Sequence, residues 1–488
     1  MSKDFVICID EFNKRHIIKE EISRGGQGIV YRTKDPDTAI KLVTDTAGDV
    51  IIDTKIINHY LEEIKKIRFL PIPDELNITY PAARLAKKPG YVMAFLDNMI
   101  PISYFIVNDH KASFVKDEEV PSWLNEMKDK NAAKQIVYYM KTGSLRSRLL
   151  ALYKTSSQLA FLHGAGLVYG DISHNNIFFL DNNDEKLNFV IWLIDIDNLR
   201  YEGEKWTVYT PGYAAPEIMQ GKGYSTTASD CHAFAVLAYE MLTMVHPFIG
   251  KKAAGVDCDW AQSEKDADPK EQALMGNYPW VGDENDDSNS SDEGLPPALL
   301  YNDEIAQLFQ KTFGGGRTDP LKRPVIFHWS YAFARAADAA IECNNCGMSF
   351  RYDAFDKCPY CENSLPPMIV METYYYTNNI QGKKKWLFAR EIPSSGIINI
   401  PTRVFTLFSI INSDETVMEI KIYGEHISFK KQEDQRIKIS IAECKNEEGE
   451  VKEIFNSIRF ARNNKFHIYA SSDNIYLKII CSIKEAEK

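Results

Sequence analysis

Three groups of residues in this chain of 488 have the types and spacing that chemistry needs. Residues 168–176 read Val-Tyr-Gly-Asp-Ile-Ser-His-Asn-Asn, directly after an apolar helical run that ends near His163. They set the Asp171 carboxylate five positions before the Asn176 carboxamide. Alone, an Asp and an Asn in a polar loop are ordinary turn formers, so the rest of the chain has to decide their use. Upstream, Ile22-Ser-Arg-Gly-Gly-Gln-Gly-Ile-Val30 places Gly25, Gly26 and Gly28 between β-formers. A glycine-rich hairpin lets backbone N–H groups approach phosphate oxygens with no Cβ in the way. The strand Thr38-Ala-Ile-Lys41 follows and ends in a cation. Downstream, Cys343-Asn-Asn-Cys346 and Cys358-Pro-Tyr-Cys361 are two C-x2-C knuckles. Such knuckles bring four thiolates to one tetrahedral, structural zinc ion with no ligand position left for water. So small a module draws its folding free energy from the metal, on the order of 10–16 kcal/mol in zinc-finger peptides.

Periodicity shows the elements that must position these groups. Residues 49–70 carry Ile52, Ile56, Ile57, Tyr60, Ile64 and Ile67 at helical spacing, with Glu62 and Glu63 in the same run and Pro71 and Pro73 ending it. Tyr91-Val-Met-Ala-Phe-Leu96 is a short apolar strand entering a polar turn. Residues 108–142 are charged and aperiodic at their start, which suggests an insertion. Ser144 to His163 reads as an amphipathic helix, capped by Ser144, with Leu145, Leu149, Leu152, Leu159 and Leu162 on its apolar face. It delivers the chain to residues 168–176. Two strand-like pieces, Ile177–Leu180 and Phe189–Ile194, then flank a polar turn, and the second runs into Asp195-Ile-Asp197. Thr210-Pro-Gly-Tyr-Ala-Ala-Pro-Glu217 precedes a buried helix at Cys231–Thr243, opened by Asp230, and Arg323 lies in Asp319-Pro-Leu-Lys-Arg-Pro324.

Glycine loop, lysine, helix glutamate, Asp-x4-Asn, Asp, Ala-Pro-Glu, helix aspartate and late arginine occur in that order. In this the chain resembles the eukaryotic-like Ser/Thr protein kinases along about residues 15–340. The resemblance implies an α+β, bilobal kinase fold that transfers the γ-phosphate of Mg-ATP (or Mn-ATP) to protein substrates, itself included. It implies that Ser23, Gly25, Gly26, Gly28 and Val30 cover the nucleotide, and that Ala39, Met93, Ala94, Phe95 and Leu96 border the adenine. It implies that Lys41 pairs with the α- and β-phosphates and is oriented by Glu62 or Glu63, of which Glu63 is preferred. Asp171 then accepts the substrate hydroxyl proton, and Asn176 and Asp195 hold magnesium. Asp230 accepts backbone hydrogen bonds from the catalytic loop, and Glu217 pairs with Arg323. The alternative is an ATP-binding pseudokinase scaffold that organises partners through its C-terminal parts. Asp195-Ile-Asp197, Gly170-Asp171-Ile172 and the run from Phe313 to Trp329, with cysteine pairs behind it, look like a bacterial group: the kinases of the tellurite-resistance-type triad. That resemblance alone implies a PP2C-like phosphatase and a von Willebrand A-domain protein as partners.

Three departures matter. Tyr169-Gly170 replaces His-Arg, so a phosphorylated activation segment lacks its usual countercharge, and activity is expected not to depend on phosphate at Thr207 or Thr210. Ser173 stands where such kinases place a lysine. Asp197 replaces the glycine of D-F-G, either to help bind a second metal or to cap the loop.

The net charge of -11 argues against a nucleic-acid surface. The N-terminus lacks a signal-peptide pattern. The most apolar helical run, residues 233–249, carries Glu240 and His246 and is too short to span a bilayer. A cytoplasmic protein is expected, without membrane or nucleic-acid partners. The acidic stretch 282–294 is expected to be a solvated, mobile loop, with docking of a basic partner as the weaker use. Cys8, Cys231, Cys258, Cys444 and Cys481 have no partner spacing. From Pro366 the pattern turns to period two, as in a β-sandwich. Gly396 and Arg403 sit only loosely where a phosphothreonine-binding forkhead-associated domain would have them, so an untyped interaction sandwich is preferred. The expected domains are a kinase domain at 1–340 (small lobe to about 95, large lobe from about 96), a four-cysteine zinc ribbon at 341–366 and a β-sandwich-like domain at 367–488.

Overall fold

The β-forming runs at the start of the chain pair into one antiparallel sheet. Its six strands are ordered Ile7–Ile9, Arg15–Gly25, Gly28–Thr33, Thr38–Leu42, Gly90–Ala94 and Pro81–Arg84. The computed structural model describes residues 6–25, 28–45, 47–181, 189–255, 268–377, 380–406, 414–423, 426–431, 437–443, 452–453, 457–459, 465–472 and 475–484. Gly26, Cys258, Cys444 and most of the turn at 181–186 lie outside them. Helix Thr54–Ile67 packs beside the sheet, its first turn capped by the Asp53 carboxylate, which accepts from Lys55 N and Ile56 N. Its buried face is Leu61, Ile64 and Ile67. Ile52 and Ile56, expected on that face, are exposed: the helix begins only at Thr54, which places Ile52 in the lead-in.

Helix Ser144–Gly164 is the centre of the larger part. It was expected to be amphipathic, yet no residue before Gly164 is exposed. Several of its polar side chains find partners inside the fold, while Thr155 Oγ1 and Arg146 Nε are buried without a hydrogen-bond partner among the described residues. Arg148 donates to Phe105 O (2.9 Å), Ser144 O (2.9 Å) and Thr142 Oγ1 (2.8 Å), and Ser157 shares a 2.7 Å hydrogen bond with Ser330. Ser144 does not cap the helix. Gly143, at φ +85°, is the N-cap, and the Ser144 hydroxyl instead accepts from Ser349 N at 2.9 Å. Residues 108–142, expected to be an insertion, have a small core of their own: helix Lys130–Lys141 and shorter turns enclose Val115, Leu124, Ala133 and Val137. The acidic stretch is likewise anchored. Asn289 is fully buried, donates to Phe248 O (3.0 Å) and Pro279 O (2.8 Å), and accepts from Ala253 N (3.1 Å). One carboxamide with four hydrogen-bonding sites therefore fixes a segment that composition alone reads as mobile.

Helix Ile326–Asp338 lies along Ser144–Gly164 and leads into the cysteine knuckles. Beyond them are a six-stranded and a four-stranded antiparallel sheet. Phe429 of one and Phe466 of the other meet edge to face at 5.3 Å. The tail is joined to the helices by buried charge. Asp338 accepts from Arg403 Nε and Nη2 (both 2.8 Å), Arg390 Nη2 (3.2 Å) and Trp386 Nε1 (2.8 Å). Burial raises its pKa, and Arg403 and Arg390 more than offset this and hold it below the usual carboxylate range. Arg403 is thus committed inside the fold, which removes the loose phosphothreonine reading of that residue. Among the described residues no helix is long and apolar enough to cross a membrane.

The expected Glu217–Arg323 pair forms. Arg323 donates from Nη1 and Nη2 to the two Glu217 oxygens at 2.8 and 2.7 Å, and its Nε bonds Gly316 O at 2.8 Å. Arg323→Ala leaves Glu217 without its partner and is expected to cost about 3–5 kcal/mol, read as a lowered denaturation midpoint; a wild-type midpoint contradicts this.

Candidate functional site

Lys41 stands on strand Thr38–Leu42, level with Val30 on one side and Tyr91 on the other. Its ammonium is buried, and a buried cation needs counter-charge. Two carboxylates supply it: Asp195, and Asp197, whose Oδ2 lies 3.0 Å away. The expected pair with Glu63 is not formed. Glu63 accepts from Lys66 at 2.6 Å and faces Arg200 at 3.2 Å, while Glu62 turns to Arg84 at 3.1 Å. The helical phase explains this. Burial of Ile64 and Ile67 directs Tyr60, one turn before Ile64 on the same face, into the site. The Tyr60 hydroxyl donates to Asp197 Oδ2 at 3.0 Å. Burial, and then the Asp197 charge, push its pKa far above normal, so it stays a donor.

Asp171 and Asn176 come together as the spacing required. Asn176 Nδ2 donates to Asp171 O (2.8 Å) and Oδ2 (3.0 Å), and Thr210 Oγ1 donates to Asp171 Oδ1 at 2.7 Å. Asp195 has φ +61°, a left-handed conformation uncommon for a residue with a Cβ. Its neighbours hold it: Ile194 N donates to Asn176 O at 3.0 Å, and the Tyr169 hydroxyl donates to Ile194 O. Tyr169, in the histidine position, thus ties residues 168–176 to the segment carrying Asp195. Asp230 fixes the same loop from below, accepting from Tyr169 N (2.8 Å) and Gly170 N (2.9 Å).

Gly170, in the arginine position, has φ +84°, and a Cβ there would stand 1.8 Å from Trp206 Cη2. The indole occupies the space next to the loop that a larger residue would take. Ser173 is buried, with its Oγ accepting from Asn175 N at 3.3 Å. Gly25 pairs with Gly28 and Ser23 with Val30 to close the glycine hairpin. Ala39 is level with Met93 in the sheet, and Ala94 ends that strand. The Phe95 N–H is already bonded to Asp37 O at 2.9 Å, and the Arg32 guanidinium covers the Phe95 ring at 4.5 Å. Leu96 follows, half-buried. Sequence reasoning missed Tyr60, Arg200 and Trp206 as members of the site. Only Tyr60 gave a signal, through its spacing to Ile64.

The four knuckle sulfurs, of Cys343, Cys346, Cys358 and Cys361, lie within 4.8 Å of one another. Cys343 and Cys361 are 3.6 Å apart and Cys346 and Cys358 3.7 Å. A tetrahedral zinc–thiolate centre has sulfur–sulfur edges of about 3.8 Å, so the residues fit such an ion, and the separations are far too long for disulfides. The Cys346–Cys358 sulfur contact pushes the Cys358 thiol down and the Cys346 thiol up, so one of the two gives up its proton more readily, as a metal-binding thiolate requires.

Two outcomes follow from this geometry. Gly170→Ala drives a methyl group into Trp206 at a φ of +84° and is expected to cost about 1–3 kcal/mol in chemical denaturation, and less, with only the backbone strain remaining, when made in a Trp206→Ala background; an unchanged midpoint refutes the packing. The purified full chain is expected to carry equimolar zinc by elemental analysis, lost together with several degrees of melting temperature in Cys346→Ser; metal-free wild type sinks the centre.

Residues 105–313 match the family model of the protein kinase domain. The chain is similar to the protein kinase C delta type of Rattus norvegicus, 38% identical over 93 residues, which are 19% of this chain and 13% of that protein. It is similar to the cAMP-dependent protein kinase catalytic subunit 3 of Drosophila melanogaster, 33% identical over 122 residues, 24% of this chain and 20% of that protein. It is similar to the cAMP-dependent protein kinase catalytic subunit PRKX of Homo sapiens, 25% identical over 236 residues, 46% of this chain and 59% of that protein. The chain spans less than two thirds of each of these relatives. Asp171, Asn176, Asp195, Glu217 and Asp230 all fall inside the matched residues, and the chain therefore contains a protein kinase domain.

Proposed function

We propose that the chain is a bacterial, ATP-dependent Ser/Thr protein kinase that phosphorylates protein substrates and itself. The observation that carries this is the Asp171 carboxylate, buried yet held by Asn176 Nδ2 at 3.0 Å and Thr210 Oγ1 at 2.7 Å. Two donors fix its orientation, which is what a base at a substrate hydroxyl needs. Lys41 presents the cation for the nucleotide phosphates. Asn176 and Asp195 would hold the magnesium, which supplies charge neutralisation at the transferring phosphoryl group. This set of groups favours transfer over the scaffold reading.

In this proposal residues 1–340 are the kinase domain, 341–366 a zinc-bound ribbon and 367–488 an interaction domain. A PP2C-like phosphatase and a von Willebrand A-domain protein are its partners on the strength of resemblance alone. Activity does not depend on a phosphorylated activation segment. Trp206 packed on Gly170 supports this, and so does Thr210, whose hydroxyl is engaged by Asp171 and is not free for modification.

Magnesium-dependent phosphate incorporation from labelled ATP is expected to fall about 10²–10⁴-fold in Asp171→Ala but not in the exposed control Lys128→Ala. In the same assay Thr207→Ala, at an exposed position, retains wild-type turnover. A wild type that binds ATP and transfers nothing makes the chain a scaffold.

A further inference from the structure

We infer that Asp197, not a glutamate of helix Thr54–Ile67, is the carboxylate that positions Lys41 for the nucleotide, and that the helix controls it through the Tyr60 hydroxyl. The inference rests on the phosphoryl-transfer reading above.

Four carboxylates compete for Lys41: Glu62, Glu63, Asp195 and Asp197. Glu62 and Glu63 are engaged elsewhere, with Arg84 at 3.1 Å and with Arg200 at 3.2 Å and Lys66 at 2.6 Å. Asp195 touches Lys41 but is the group that carries the metal when nucleotide binds, so its charge is then shared. Asp197 is the partner left to Lys41 throughout. It is nearly buried, with Oδ2 3.0 Å from Lys41 Nζ and 3.0 Å from the Tyr60 hydroxyl. Its backbone is fixed as well: Arg200 Nη1 donates to Asp197 O at 3.0 Å.

Helix Thr54–Ile67 therefore grips the loop after Asp195 with two arms, Tyr60 to Asp197 and Glu63 to Arg200. A helix glutamate reaching Lys41 directly would link helix and lysine in one contact. Here the link runs helix, Tyr60, Asp197, lysine. A glycine at position 197 could not make it. Asp197 Oδ1 is buried without a hydrogen-bond partner among the described residues, which makes metal binding the rival use of this residue.

The experiment uses the full chain and its Asp197→Asn, Asp197→Glu, Tyr60→Phe, Glu63→Gln, Lys41→Met and Lys41→Met/Asp197→Asn variants. Incorporation of labelled phosphate into the chain itself gives kcat and the KM for ATP, calorimetry gives Mg-ATP affinity, and a magnesium titration gives its half-saturation. Asp197→Asn is expected to lower kcat/KM about 10²-fold, to add little to Lys41→Met, and to leave half-saturating magnesium where it was. Asp197→Glu restores part of the loss, Tyr60→Phe shows a smaller loss in the same parameters, and Glu63→Gln costs clearly less than Asp197→Asn. The inference is overturned if Asp197→Asn behaves as wild type, if its loss adds to that of Lys41→Met, if Glu63→Gln matches Lys41→Met, or if half-saturating magnesium moves, which assigns Asp197 to the metal. If Asp197→Asn does not fold, Tyr60→Phe decides, since it removes one oxygen only. A wild type that transfers no phosphate defeats the phosphoryl-transfer reading instead. Asp197 is then judged on Mg-ATP affinity, which Asp197→Asn and Lys41→Met must weaken equally and non-additively.

Discussion

Helix Ser144–Gly164 has no face to give to solvent, and the rest of the structure is arranged by that constraint. A helix buried all round must be covered on every side and needs partners for most of the polar atoms it carries. Gln158 Oε1 accepts from Asn77 N at 2.9 Å, from the segment that follows helix Thr54–Ile67. His163 reaches Asp230 at 3.1 Å, on the helix beneath the catalytic loop. Ser144 takes the first knuckle through Ser349, Arg146 pairs with Glu391 of the tail at 3.0 Å, and Lys154 with Asp414 at 3.6 Å. The same helix ends at the strand that enters Tyr169-Gly170-Asp171. One element thus sets where Asp171 stands and where the cysteine knuckles and tail sheets attach.

The loop around Asp171 replaces the charges expected there with packing. Where a histidine and an arginine are expected, Tyr169 bridges to Ile194 O and Gly170 admits the Trp206 ring. An arginine there answers to a phosphate, whose charge can be added and removed. An indole against a glycine answers to nothing that titrates or is transferred. In the proposed reading the site exchanges a switchable contact for a permanent one. The Lys41 arrangement follows the same logic: its orientation is written into a buried tyrosine–aspartate–lysine chain, with the helix glutamate paired to Arg200.

Much of the site was legible because its signals are local. Asp171 and Asn176 meet because five residues of loop allow it, and the hairpin closes between Gly25 and Gly28 for the same reason. The cysteine sulfurs converge because each knuckle is a tight turn. Readings failed where a residue's environment comes from far along the chain. Ser144 looked like a cap, but its hydroxyl is claimed by Ser349, and a glycine at φ +85° starts the helix. The acidic stretch looked mobile, but Asn289 is bonded to Phe248 and Pro279. Arg403 looked like a distant candidate for phosphate and is held by Asp338.

What the sequence by itself determined is the inventory and the order: a glycine hairpin, a lysine on a strand, an aspartate and asparagine five positions apart, a later aspartate, four thiols and a period-two tail. Helical and strand periods and short loops are properties of neighbouring residues, so they can be read without a fold. What only the tertiary structure decided is which carboxylates meet Lys41: Asp195 and Asp197, and neither helix glutamate. Glu62, Glu63, Asp195 and Asp197 are equivalent as side-chain charges, and Coulomb attraction favours whichever stands nearest in a poorly screened site. That distance is set between segments 156 residues apart, by the phase of a helix fixed on Leu61, Ile64 and Ile67. The pattern could name the candidates. The packing of apolar side chains elsewhere chose among them.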